Sequence, residues 1–156
     1  MTYTDTLYHG SCNLFDKFSL KFLGSGEGKS KFGHGIYITS SYKTAALYAA
    51  KAAKANGKEC CYVYTVQVPL LTEGNHIFSS KIVNASVVQR VETELGENIP
   101  DEVKAARKLF RKYLGNLITG QRTTVKKMMC KADATAESAV AKFLNKLGIV
   151  YLAWPQ

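Results

Sequence analysis

The clearest periodic signal lies between Cys60 and Leu71, where valines and tyrosines alternate with other residues and predict a β-strand with Pro69 near its end. Ile36-Tyr37-Ile38-Thr39 is a second β-prone run and predicts a strand. Leu7-Tyr8 reads as the end of a short first strand with His9-Gly10 at its edge. Between them, Leu14 to Leu23 mixes aromatic and basic residues and leads into the loop Gly24-Ser25-Gly26-Glu27-Gly28. Ser40 or Ser41 can cap an alanine-rich helix over 42–54, which Asn56-Gly57 terminates. Helical spacing returns at Ile82, Val83, Val87, Val88, Val91 and Leu95, predicting a helix within 80–95. Pro100-Asp101 opens another, with Val103, Leu109, Phe110, Tyr113, Leu114 and Leu117 on its core face. An amphipathic helix over 134–147 ends at Gly148, and 149–154 is a final strand. Strands mixed with helices, without a β-α-β rhythm or an internal repeat, predict an α+β fold. No linker divides the chain, so a single domain over 1–156 is expected.

The length of 156 residues and an apolar content of 46% suffice for a core without disulfide or metal staples. No stretch has the length of a transmembrane helix, and the first residues lack the basic-then-apolar form of a signal peptide. Cys12, Cys60, Cys61 and Cys130 form no C-x-x-C pair, so no metal site is expected. Reduced thiols in a cytoplasmic protein, away from membranes, are the expectation.

Charge adds a partner to this picture. The net charge is +9, and between Val103 and Lys131 there are nine basic residues and no acidic one. Arg107, Lys108, Arg111, Lys112, Lys126 and Lys127 from this run are candidate nucleic-acid contacts, because such a field attracts polyanions. A solvated helix face beside an acidic partner or inhibitor is the alternative. The glycine loop is not a phosphate-binding loop: Gly-x-x-x-x-Gly-Lys-Ser needs glycine five residues before Gly28, where Leu23 stands. A nuclease would need partners for His34 or His76 at recognisable spacing, and none is present.

Three short signatures follow one another in a fixed order: Tyr8-His9-Gly10-Ser11, Gly35-Ile36-Tyr37-Ile38-Thr39 and Ala45-Ala46-Leu47-Tyr48-Ala49. Together they resemble the nicotinamide-binding half of an ADP-ribosyltransferase of the His-Tyr-Glu type, the diphtheria-toxin and PARP-like branch. Phe15 to Phe18, Gly24 to Gly28, Phe32 to Tyr37, Val66 to Pro69, Ala139 to Leu144 and Gly148 to Leu152 are similar to ADP-ribosyltransferase domains of phage polyvalent proteins and bacterial toxins. The resemblance implies two small, mainly antiparallel sheets with flanking helices around an NAD cleft. It also implies that His9 binds the nicotinamide-side ribose and Gly10 the carboxamide, with Ser11 completing the motif. Tyr37 and Tyr48 would then sandwich the nicotinamide ring, a flat aromatic amide that suits aromatic faces. The plain readings are a strand-end histidine satisfied by a backbone carbonyl, and two core tyrosines.

The third motif departs from the family. A catalytic glutamate is normally found at the start of a late strand, and no glutamate follows Gly148 here. Either Gln156 acts in its place, as a glutamine does in some relatives, or the strand that bears the residue is missing from this sequence. Glu92, Glu94 and Glu97 fall on or after a predicted helix, the wrong element, and are expected at a solvated helix end. By resemblance the chain is expected to be a mono-ADP-ribosyltransferase using NAD; the basic charge sets RNA or DNA ahead of a protein as acceptor, and no metal is expected. It would be a toxin held by an acidic antitoxin or inhibitor. The competing reading is a module that binds NAD, ADP-ribose or RNA without turnover.

Overall fold

A computed structural model of the chain describes residues 3–18, 35–78, 81–105, 107–120 and 134–154. The fold is α+β, with two small sheets and five helices among these residues. Contacts divide the chain into two compact units, the first ending at Leu70 and the second formed mainly by the residues from Leu71 onward.

In the first unit, β1 (Tyr3–Ser11) pairs antiparallel with β2 (Tyr62–Pro69), placing His9 opposite Tyr64 and Gly10 opposite Val63. β1 therefore runs past Leu7-Tyr8, and His9 and Gly10 sit inside the strand rather than at its edge. The run 36–39 forms no full strand. Thr39 alone bridges Tyr8, through Tyr8 N–H to Thr39 C=O (2.8 Å) and Thr39 N–H to Tyr8 C=O (2.9 Å). The cause lies on both sides of that bridge. Upstream, the Tyr37 carbonyl bonds the His9 side chain instead of a ladder partner. Downstream, the Ser41 amide donates to Thr39 Oγ1, turning the chain into α1 (Tyr42–Ala55). Ser41 is the cap, its Oγ accepting from the Thr44 amide, and Asn56 closes the far end.

α1 lies on β1 by an alanine face, with Ala45, Ala49, Ala52 and Ala53 buried. The approach is so close that a Cβ on Gly10 would overlap the Ala45 carbonyl oxygen and meet the Ala49 amide nitrogen at 3.0 Å. Only glycine lets helix and strand backbones meet there.

The second unit holds the larger apolar core. β3 (His76–Phe78) pairs parallel with β4 (Tyr151–Ala153), so one sheet is antiparallel and the other parallel. The sequence shows no signal for β3, whose three residues are too few for a period. α2 (Ala85–Leu95) is capped by Asn84, whose side chain accepts from the Ser86 amide. Ile82 stays outside the helix and exposed. The helix expected from Asp101 onward is broken into α3 (Asp101–Lys104) and α4 (Arg107–Ile118). The carbonyl of Lys104, the last residue of α3, accepts from the Val83 amide (3.1 Å). α5 (Ala134–Lys146) packs on α4, with Gly115 close against Ala136 and Val140. Ile77, Val87, Val91, Val103, Phe110 and Leu114 are the large side chains buried completely.

Candidate functional site

The residues singled out at His9, Gly10, Ser11, Tyr37 and Tyr48 all fall in the first unit. Strand alternation assigns them to different sides of β1. Tyr8 and Gly10 share the side that carries α1: the Tyr8 ring meets Tyr42 of α1 edge-on at 5.6 Å, and Gly10 touches Ala45 and Ala49. His9 faces the other side, where directly opposed strand residues put it beside Tyr64.

The His9 ring sits in an aromatic enclosure. Its centroid is 5.2 Å from Phe18, 6.3 Å from Phe15 and 6.3 Å from Tyr64. Phe15 stacks nearly parallel on Tyr64 at 4.1 Å. The Tyr64 hydroxyl accepts from the Phe15 amide (2.7 Å) and donates to the Asn13 carbonyl (2.9 Å), so the segment after β1 is tied back over the sheet. Sequence reading missed this arrangement. Its only signal was the aromatic pair in Phe15-Asp16-Lys17-Phe18, because the placement of Tyr64 depends on the β1–β2 register.

His9 Nδ1 lies 2.7 Å from the Tyr37 carbonyl oxygen. A carbonyl only accepts, so Nδ1 carries the proton, and in the neutral imidazole Nε2 is left as an acceptor. The plain reading of a histidine satisfied by a backbone carbonyl therefore holds at one ring nitrogen.

Gly10 has a second property. Tyr8 exchanges both backbone bonds with Thr39, so in an antiparallel ladder the peptide groups of Tyr8 and Gly10 point away from β2. Continuing the Tyr8–Thr39 register would set Tyr37 opposite Gly10, but the Tyr37 carbonyl is turned to His9. Among the described residues no strand pairs with Gly10 on that flank. One donor and one acceptor are thus presented side by side next to Tyr37. Ser11 Oγ accepts from the Asn13 amide (3.1 Å), which starts the bend after β1. Tyr37 is half-buried. Tyr48 lies on α1, 48% exposed and next in sequence to Ala49, with Lys51 Nζ 5.7 Å above its ring.

The basic run of the second unit is less available than its sequence suggests. Arg111 is corrected from a nucleic-acid contact to an interior residue: it is 6% exposed and ion-paired to Glu137 of α5. Lys104 is held by Glu92 (3.5 Å) and Asp101 (3.4 Å). Local counting from Val103 finds no acid among these bases because Asp101 lies just before the run on the same helix and folding brings Glu92 and Glu137 from other elements. Lys112 is half-buried, and Arg107 and Lys108 open α4. Lys126, Lys127, Gln156, His34 and the loop at 24–28 lie outside the described residues. Glu92 is also corrected from a solvated helix end: its Oε1 accepts from the Ile99 amide (2.9 Å) besides facing Lys104. Glu94 pairs with Lys146 at 2.9 Å. His76 Nδ1 bonds the Thr72 carbonyl at 2.5 Å, a local turn contact.

Neither a family model nor a curated protein nor a solved structure matches the chain significantly. No helix among the described residues is long and apolar enough to cross a membrane.

Proposed function

We propose that the chain is a cytoplasmic mono-ADP-ribosyltransferase that moves ADP-ribose from NAD to a macromolecular acceptor, nucleic acid ahead of protein. The observation that carries this reading is the peptide edge of Gly10, which no strand among the described residues pairs, beside a Tyr37 whose carbonyl is bonded to His9. A primary carboxamide offers one acceptor oxygen and N–H donors, the complement of an unpaired strand peptide. His9 Nε2 accepts from a ribose hydroxyl, while Tyr37 and Tyr48 supply ring faces for nicotinamide.

In the transfer, an oxygen or nitrogen lone pair of the acceptor attacks C1′ of the nicotinamide ribose. The C1′–N bond breaks, its electron pair leaves with neutral nicotinamide, and the acceptor's proton passes to solvent. Gln156 stands in for the usual glutamate: its amide can bond a ribose hydroxyl but cannot take up a proton. Unregulated, such an activity damages its host, which fits a toxin of bacterial or phage origin held by an acidic antitoxin. A second reading is a module that binds NAD, ADP-ribose or RNA without turnover: the Nδ1 of His9 is held by a backbone carbonyl, as in a purely structural histidine.

Incubation with adenylate-labelled NAD and separate RNA, DNA and protein acceptors tests both. Label on one polymer, lost in Tyr37→Ala and His9→Ala, supports the transferase. NAD binding without label, abolished by Tyr37→Ala, supports the binding module. Neither label nor NAD binding overturns both.

A further inference from the structure

α1 carries a second face that the alanine contact with β1 does not use. Lys43, Leu47, Lys51 and Lys54 follow one another at intervals of four, four and three residues, so they form a single line along the helix. All four are exposed, and Lys58 comes just beyond the Asn56-Gly57 end, also exposed. From Lys43 to Lys58 there is no acidic residue. Among the described residues no ion pair is made by Lys43, Lys54 or Lys58. This is the reverse of the second unit, where Lys104 and Arg111 are matched by carboxylates.

Aromatic surface accompanies the line. Tyr48 and Tyr42 are exposed on its flanks, with Lys51 over the Tyr48 ring. The lysines extend over about 16 Å of helix, a length along which a nucleic-acid backbone presents several phosphates. We infer that this face of α1 is a docking surface for single-stranded nucleic acid, with the lysines tracking phosphates and Tyr48 stacking a base.

The charge identifies a polyanion, and the residue types identify which one. α1 contains no arginine, asparagine or glutamine, so of the long side chains that pair with base edges in a duplex groove it offers only lysine, a flexible point charge rather than a planar fork. Exposed rings beside lysines suit unstacked bases, because every base has a face to offer once it is out of a duplex. Tyr48 is also a proposed nicotinamide contact. A strand laid along α1 would therefore pass close to the ribose carbon that reacts; this last step alone rests on the transferase reading.

Fluorescence anisotropy with labelled single-stranded RNA, single-stranded DNA and duplex, in the absence of NAD, tests the surface. Single strands should bind at low salt, with affinity falling against salt at a log–log slope of about −2 for three lysines. Lys43→Gln/Lys51→Gln/Lys54→Gln should weaken binding at least tenfold and flatten that slope. Tyr48→Ala should cost about tenfold, as expected for the loss of one stacked base. Circular dichroism melts of the variants check that α1 remains folded.

Four results would overturn the inference. They are no binding by the unaltered protein, full affinity in the triple variant, equal affinity for duplex with no effect of Tyr48→Ala, or loss through Lys126→Gln/Lys127→Gln instead. Calorimetric titration with NAD reads the transferase proposal separately. Tyr37→Ala should lose NAD and keep the single strand, whereas absence of NAD binding throughout would remove that proposal and leave the surface to its own titration.

Discussion

Gly10 of β1 and Ala45 of α1 are in backbone contact, so close that a single methyl group at Gly10 would overlap the Ala45 carbonyl oxygen. A carbonyl inside a helix cannot step aside as a side-chain end can. Gly10→Ala should destabilise the protein by about 3 kcal/mol, at the upper end of overpacking costs. Urea unfolding should show the midpoint falling at unchanged slope. Gly35→Ala is the control: among the described residues nothing lies within 4 Å of its Cβ position, and its effect should stay within about 0.5 kcal/mol.

Arg111 and Glu137 join α4 to α5 through a largely buried ion pair. Removing one partner strands the other charge in an apolar interior. Arg111→Met and Glu137→Leu alone should therefore each cost about 3 kcal/mol, whereas the two combined should be close to neutral. Thermal melts of the two single variants and the double variant give the cycle. Equal, additive losses would show that the pair does not couple.

Arg90 fastens three separated segments at once. Its guanidinium donates to the carbonyls of Gly74, Leu147 and, at 3.4 Å, Ser86. Arg90→Met should cost about 2–3 kcal/mol, since bonds from a charged donor are worth more than neutral ones. Arg90→Lys should recover little, because a point ammonium cannot span carbonyls that a planar fork reaches. Amide hydrogen exchange should report the loss at the turn before β3 and at the end of α5. Protection unchanged there would show that Arg90 is not the fastening.

The elements that were legible in sequence are those whose signal is local. α1 shows its serine cap, alanine content and Asn-Gly stop, and β2 its valines and tyrosines; both lie where expected. What failed depended on partners far along the chain. Ile36 to Ile38 have strand-forming side chains, yet the Tyr37 carbonyl is taken by His9 and only Thr39 reaches Tyr8. The helix after Pro100 stops at Lys104, whose carbonyl accepts from Val83 in the loop before α2. Arg111 looked like one base among many until Glu137 met it across the α4–α5 contact. At the candidate site, the motif residues were visible in sequence, but the enclosure of His9 by Phe15, Phe18 and Tyr64 required the strand register.

The parallel pairing of β3 with β4 sets an order of events during synthesis. Everything that β1, α1 and β2 need has been made once Pro69 has left the ribosome. β3 emerges within a few residues, but its partner Tyr151–Ala153 comes after every described helix of that unit. A nascent chain that has reached α5 thus carries Ile77 on a strand with no neighbour in its own sheet, the kind of unpaired edge that invites association with other chains. Chaperone engagement would be expected to persist through the second half of translation and to end only when the last strand is released.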